Sequence, residues 1–191
     1  MNYSNMKKEE LIIKYEMPYK DITKVKLENA IPKSHNVRFD NYFIDDNKIK
    51  HPIKGKEKAS LTDKKSDEYK MAKKIRKIFG GKIHIVPRIE TEKGYKGLVS
   101  VKTPDYIWNN EKWDLKTPGT DGEFLNTFER FLKKKGAKKQ AKKYIINYIN
   151  FPNKTNKEII NVIQSTLIER DWVEEVIVMK GEEVIKIYSK A

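Results

Sequence analysis

The chain has 191 residues, no cysteine and a formal net charge of +14, from 41 Lys and Arg against 27 Asp and Glu. Without cysteine, disulfides and thiolate metal sites are excluded. No apolar run approaches the roughly 18 residues of a membrane span, and the amino terminus lacks the apolar core of a signal peptide, so we expect a soluble protein with no membrane segment. The positive charge favours a polyanionic partner such as nucleic acid.

The first third of the chain differs from the rest. Residues 1–60 are polar and are interrupted by Pro18, Pro32 and Pro52. Proline ends helices and cannot donate to a sheet, so we expect an N-terminal extension or entry segment with little regular structure. The signals of regular structure become clear in residues 61–191, which we predict to form the functional domain.

A helix is predicted at the start of that domain. Thr62 or Ser66 would cap it, and Gly80-Gly81 would end it. Its apolar residues follow helical spacing at Tyr69, Ala72, Ile75 and Phe79. A strand is predicted next, at 82–89, because apolar and polar residues alternate there.

The most informative segment is a predicted β-hairpin at residues 103–117. Asn109-Asn110 suits a two-residue turn, because asparagine tolerates the positive φ that such turns require. If these two residues form the loop, Trp108 pairs with Glu111, and Asp105 lies directly opposite Asp114. Two like charges placed opposite each other are destabilising unless something bridges them, and a divalent cation is a suitable bridge.

The alternation of side chains along a strand extends this site. Lys116 would share a face with Asp114, roughly 7 Å further along the strand, while Tyr106, Trp113 and Leu115 would line the other face. The alternative is an ordinary solvated hairpin face, with Lys116 forming a charge pair with Asp114.

The remaining elements complete a mixed α/β (mixed α+β) fold. The Pro- and Gly-containing segment 118–122 would precede a basic helix at 123–135. A strand buried on both faces is predicted next, at 144–149. It is followed by a helix at 157–170, which Thr155 would cap, and by two C-terminal strands at 174–179 and 183–188. We expect a central mixed sheet flanked by helices.

Pro104-Asp105 followed by Asp114-Leu115-Lys116 on the next strand resembles the motif of the PD-(D/E)XK nuclease superfamily. Over about residues 60–191 the chain resembles, more narrowly, the C-terminal tRNase toxin domains of bacterial contact-dependent growth inhibition proteins. The other matching segments are the helix with its acid at 66–72, the glycine-rich start of a strand at 79–87, Trp113 to Thr117, and Lys138 to Ala141 before a strand.

This resemblance implies roles for individual residues. Asp105, Asp114 and Glu68 would be catalytic residues that bind Mg²⁺ or Mn²⁺, with Asp67 as the alternative to Glu68. Lys116 would orient the attacking water or stabilise the phosphate, and Gln140 would lie near the catalytic group. Hard divalent cations prefer oxygen ligands, which agrees with this set.

A basic cluster after the hairpin is the predicted nucleic-acid-binding surface. Its residues are Lys138, Lys139, Lys142 and Lys143, and Thr117 could also donate to a phosphate. The alternative is a solvated helix face, which charge runs often form.

The resemblance implies a metal-dependent endonuclease toxin that hydrolyses phosphodiester bonds in RNA, with tRNA as the expected substrate. It would act in the bacterial cytoplasm after delivery as part of a secreted toxin, and a cognate immunity protein would neutralise it. Three alternatives remain open: a DNase with the same site, a non-catalytic nucleic-acid-binding domain, and a metal-independent RNase that uses His35, His51 or His84.

Overall fold

The structure is a computed structural model that describes residues 18–30, 38–39, 42–44, 50–52, 66–86, 104–120, 122, 124, 130, 132 and 140–191. The chain divides into two compact units. Unit A draws its residues from 1–26, 116–138 and 142–191, and unit B from 27–115 and 139–141. The helix predicted at 123–135 and the end of the strand predicted at 82–89 lie largely outside the described residues.

Unit A contains four neighbouring strands in the order β1-β10-β9-β8. The strands are β1 (Tyr19–Asp21), β8 (Lys143–Asn147), β9 (Glu175–Lys180) and β10 (Glu183–Lys190). Strand β8 pairs with β9 in parallel, and β9 pairs with β10 and β10 with β1 antiparallel. Residues 144–147 are buried on both faces of β8, which confirms the predicted buried strand for that part. Its predicted end was wrong, because the strand stops at Asn147 and Ile149 is 47% exposed.

Helix α3 (Asn156–Ile168) covers the core of unit A. Thr155 accepts a hydrogen bond from the Glu158 amide, and the Glu158 carboxylate accepts one from the Thr155 amide, so both halves of a capping box are present. The predicted cap is therefore confirmed. Its buried apolar residues join an aromatic and aliphatic core that includes Tyr144, Ile146, Tyr148, Ile159, Ile163, Leu167, Val176 and Val178.

Part of the N-terminal segment belongs to unit A. The Tyr19 hydroxyl lies 2.6 Å from the Arg170 carbonyl oxygen and 2.8 Å from that of Val173. Burial raises the pKa of this hydroxyl, which therefore stays neutral and donates. Within residues 1–60, where the sequence suggests little regular structure, the described residues thus include a paired strand, and helix α1 (Thr23–Glu28) follows it.

Unit B contains four neighbouring strands in the order β7-β6-β5-β2. They are β2 (Arg38–Phe39), β5 (Ile83–Ile85), β6 (Tyr106–Trp108) and β7 (Glu111–Lys116). Strand β2 pairs with β5 in parallel, whereas the β5–β6 and β6–β7 pairs are antiparallel. A separate antiparallel pair joins β3 (Tyr42–Ile44) and β4 (Lys50–Pro52). Both units combine helices with parallel and antiparallel strands, so the predicted mixed α+β class is confirmed.

Helix α2 (Asp67–Phe79) packs within unit B. Ser66 caps its first turn by accepting a hydrogen bond from the Tyr69 amide, and Gly80 ends it with a φ of 75°. Its buried residues are Met71, Ala72, Ile75 and Phe79. The indole nitrogen of Trp108 donates to the Gly80 carbonyl oxygen at 3.0 Å, so the helix end is tied to β6.

Candidate active site

The predicted hairpin is present in unit B. Asn109 and Asn110 have φ values of 50° and 67°, as a two-residue turn between antiparallel strands requires. Trp108 pairs with Glu111, and Tyr106 pairs with Trp113. The predicted register is therefore confirmed, and continuing it by one residue sets Asp105 opposite Asp114.

Asp105 turns toward the strand that carries Asp114. Its Oδ2 accepts a hydrogen bond of 2.7 Å from the Leu115 amide, the residue next to Asp114. A hydrogen bond between a carboxylate and a backbone N–H is charge-assisted and holds the acid in one orientation. The side chain of Asp105 is thus hydrogen-bonded to the residue that follows Asp114.

Asp114 is buried, with 1% of its surface exposed. A carboxylate in such a place is costly unless polar partners replace its water. Gln140 supplies one partner, because its Nε2 donates to Asp114 Oδ1 at 2.9 Å. Gln140, which the resemblance placed near the catalytic group, is thus in direct contact with one of the two aspartates.

Glu68 is brought to the hairpin by a buried tyrosine. The Tyr106 hydroxyl donates to the Glu68 backbone carbonyl oxygen at 2.7 Å, and Tyr106 is 1% exposed. This contact ties the first turn of α2 to the start of β6, directly after Asp105. The half-buried Glu68 therefore lies on the element that the resemblance assigned to the third acid.

Four carboxylates lie close enough to Tyr106 to act on its hydroxyl. Burial is the main reason that the pKa of Tyr106 is raised well above its ordinary value, and the negative charges of Asp105, Glu68, Asp114 and Asp67 raise it further, in that order. The phenol therefore stays protonated and donates. Glu68 is half-buried and Asp67 is exposed, and the choice of Glu68 as the third acid stays a prediction.

The donor set suits a hard cation with few protein ligands. Among the described residues, no group of three or more His, Cys, Asp or Glu side chains is placed to hold a metal ion. Mg²⁺ usually binds through one or two carboxylates and keeps several waters, so the pair Asp105 and Asp114 fits it by chemistry. A preformed cage that includes Glu68 does not fit the described geometry.

Lys116 and Thr117 follow the buried aspartate along the chain. Lys116 ends β7 two residues after Asp114, so both side chains start from the same face of the strand, and it is half-buried. Thr117 comes directly after the strand and is also half-buried.

The predicted nucleic-acid-binding lysines divide into two groups. Lys138 and Lys139 lie outside the described residues. Lys142 pairs with Glu174 at 2.8 Å on the surface, and Lys143 lies 3.5 Å from the buried Glu175. Nucleic-acid binding by these residues stays a prediction, and the contact with Glu175 gives Lys143 a structural role as well.

Of the three histidines in the alternative mechanism, the structure describes the side chain of His84 only. His84 is half-buried in β5, where the sequence placed it in a strand. The side chains of His35 and His51 lie outside the description.

Sequence reasoning assigned Tyr106 only to the face opposite the acids and missed the contact of its hydroxyl. A buried tyrosine usually finds a partner for its O–H, and that rule is the signal that would have directed attention to it.

The fold and the site define a mixed α+β domain with an acidic centre on a β-hairpin. Residues 102–184 match the family model of the contact-dependent growth inhibition CdiA C-terminal domain. The matched segment contains the hairpin, Gln140 and most of unit A. This match supports the identification of the chain as a toxic effector of the contact-dependent growth inhibition system. Members of this family form part of secreted toxins delivered into target cells, and they pair with immunity proteins.

No curated protein and no solved structure shows a significant match to the chain. Among the described residues, no helix is both long and apolar enough to cross a membrane.

Proposed function

We propose that this protein is a metal-dependent endonuclease toxin of the PD-(D/E)XK type that hydrolyses phosphodiester bonds in RNA, with tRNA as its substrate. The observation that carries the proposal is the buried Asp114, which is hydrogen-bonded by Gln140 and, like Asp105, lies one residue beyond the Tyr106–Trp113 pair of the hairpin. A purely structural hairpin has no evident reason to place two carboxylates at the ends of neighbouring strands and a half-buried amide donor beside one of them.

The chemistry follows from the charges involved. Phosphodiester hydrolysis needs a deprotonated water near neutral pH and compensation for negative charge that grows on the phosphate. A hard divalent cation held by Asp105 and Asp114 would supply both effects. Gln140 fixes the Asp114 carboxylate, and the Leu115 amide fixes that of Asp105, so both acids are oriented before substrate binds.

The remaining residues act around this pair. Lys116 carries a positive charge two residues from Asp114 on the same strand, which suits the stabilisation of a developing phosphate charge or the orientation of the water. Glu68 adds negative charge at the first turn of α2 and would accept a proton or contact a metal-bound water. Both roles are parts of the proposal.

The test is cleavage of total RNA and of plasmid DNA by the purified protein. With Mg²⁺ we expect RNA cleavage, loss of that cleavage in excess chelator, and recovery when Mg²⁺ is restored. The reason is that two carboxylates alone do not lower the pKa of water toward neutrality.

Three results would contradict the proposal. Cleavage that survives the chelator would refute the metal-dependent mechanism and favour the histidines. Cleavage of the plasmid and not of RNA would assign the site to DNA. Tight RNA binding without cleavage under either condition would favour a non-catalytic binding domain.

The hydroxyl of Tyr106 provides a test of how α2 is positioned. Tyr106→Phe keeps the buried ring but removes the bond to the Glu68 carbonyl oxygen, at a cost of about 1 kcal/mol in the free energy of unfolding. We also expect a severalfold lower kcat with nearly unchanged RNA affinity. A stopped-flow cleavage assay and urea unfolding measure the two effects.

Tyr148→Phe is the matched control. Tyr148 is fully buried in unit A, and among the described residues its hydroxyl has no hydrogen-bond partner. Its removal should leave kcat unchanged and leave stability equal or slightly higher. Equal kcat values for both variants would show that the hydroxyl of Tyr106 does not help to position the site.

A further inference from the structure

Helix α2 exposes three lysines on its outer surface, at Lys70, Lys73 and Lys77. Their spacing of three and four residues puts them on one stripe of the helix, which we call the lysine face. This face lies in unit B, as do Glu68, Asp105 and Asp114. It shares no residue with the basic cluster that the sequence suggested.

The orientation of the lysine face is determined by packing. The opposite side of α2 buries Met71, Ala72, Ile75 and Phe79. The helix is held at both ends, by the Tyr106 hydroxyl at Glu68 and by the Trp108 indole at Gly80. The lysines therefore project from a helix with a fixed position.

Local interactions do not account for the charge on this face. Within the described part of the chain, none of the three lysines forms an ion pair, and Lys73 only lies over the ring of Tyr69, at 5.9 Å from its centroid. The helix dipole favours cations in the last turn, which could explain Lys77. Lys70 lies near the N-terminal end, where a cation is disfavoured, so the dipole does not explain it.

The dimensions suit a nucleic-acid strand. At 1.5 Å per residue, the lysine face extends for about 10 Å along the helix axis. A stacked strand carries one phosphate per roughly 3.4 Å, so this length corresponds to about three nucleotides. The lysine face begins two residues after Glu68. The Glu68 carbonyl oxygen accepts a hydrogen bond from Tyr106, the residue that follows Asp105.

We propose that the lysine face binds the phosphate backbone of the RNA substrate and leads one strand toward the acidic hairpin. The proposal rests on the proposed function, because it assigns the face to the substrate of that site. Lysine contacts to phosphates position a substrate without reading its sequence, so RNAs of unrelated sequence should be bound in the same way.

The experiment compares two triple variants in an Asp114→Asn background, which keeps the RNA intact. The test variant is K70Q/K73Q/K77Q, since glutamine preserves helix propensity. The control is K20Q/K24Q/K157Q, which removes three charges from exposed residues of unit A. The probes are two short fluorescein-labelled RNAs of unrelated sequence. Fluorescence anisotropy measures the Kd of each RNA at several salt concentrations between about 50 and 200 mM.

We expect the test variant to bind both RNAs about tenfold more weakly at the lower salt concentration. The slope of log K against log salt should fall by about two, since each single-strand phosphate contact contributes about 0.7. The control should change the slope much less. Equal affinities and slopes for the two triple variants would overturn the proposal.

Binding and turnover separate this inference from the function on which it rests. If the parental protein cleaves RNA and the test variant binds RNA like the control, the proposed role of the lysine face is refuted and the proposed endonuclease function stands. If the parental protein does not cleave RNA but the test variant binds RNA more weakly than the control, the proposed endonuclease function is refuted. The lysine face is then still an RNA-binding surface.

Discussion

Asp114→Asn should lower the turnover of RNA by on the order of a thousandfold while leaving Kd for RNA within about twofold. Asparagine has the shape of aspartate, and Gln140 can still donate to its side-chain oxygen, so the fold should be preserved. What is lost is the negative charge that would hold a divalent cation. Most of the binding energy should remain, because it would come from distributed positive charge.

Single-turnover cleavage of labelled tRNA measures this effect, and Glu111→Gln is the control. Glu111 lies on the same hairpin but is exposed, so its neutralisation should leave the rate nearly unchanged. Asp105→Asn should behave like Asp114→Asn, because the two acids would hold the same cation. Cleavage by the Asp114 variant at the parental rate would refute the metal-nuclease mechanism.

The second large effect concerns stability. Glu175 is buried in unit A, where Lys26 lies 2.5 Å and Lys143 lies 3.5 Å from its carboxylate oxygens. Glu175→Ala would leave two partly buried cations without this carboxylate. We expect a loss of about 3 kcal/mol in the free energy of unfolding, at the lower end for a broken buried pair because both lysines are partly exposed.

The adjacent glutamate is the matched control. Glu174 pairs with Lys142 at 2.8 Å, but both side chains are about half exposed. Exposed pairs contribute at most about 1 kcal/mol, so Glu174→Ala should shift the urea midpoint only slightly. Equal losses for the two variants would show that the buried ion pairs of Glu175 stabilise the protein no more than the exposed pair of Glu174.

The hairpin could be predicted in detail because its rules are local. The positive φ of Asn109 and Asn110 follows from the tolerance of asparagine for that region, and the loop length then determines which residues face each other. The caps at Ser66 and Thr155 were predictable for the same reason, since a capping side chain reaches only a few residues along the chain.

The contacts that position the acidic side chains were harder to predict from the sequence. The position of Gln140 near the site came from a resemblance and not from any local pattern. The Tyr106 bond to the Glu68 carbonyl oxygen was not predicted, because it joins a strand to a helix whose mutual packing depends on side-chain volumes throughout unit B.

By itself, the sequence determined the hairpin register, the helix caps and a charge suited to nucleic acid, since these depend on near neighbours and on composition, but it did not predict the strands and the helix described within residues 1–60. Only the tertiary structure decided that Gln140 bonds to Asp114, that Tyr106 holds the first turn of α2, and that Glu175 binds Lys26. Each of these contacts joins residues far apart in the chain. Their formation depends on the simultaneous packing of many side chains, which no short segment encodes.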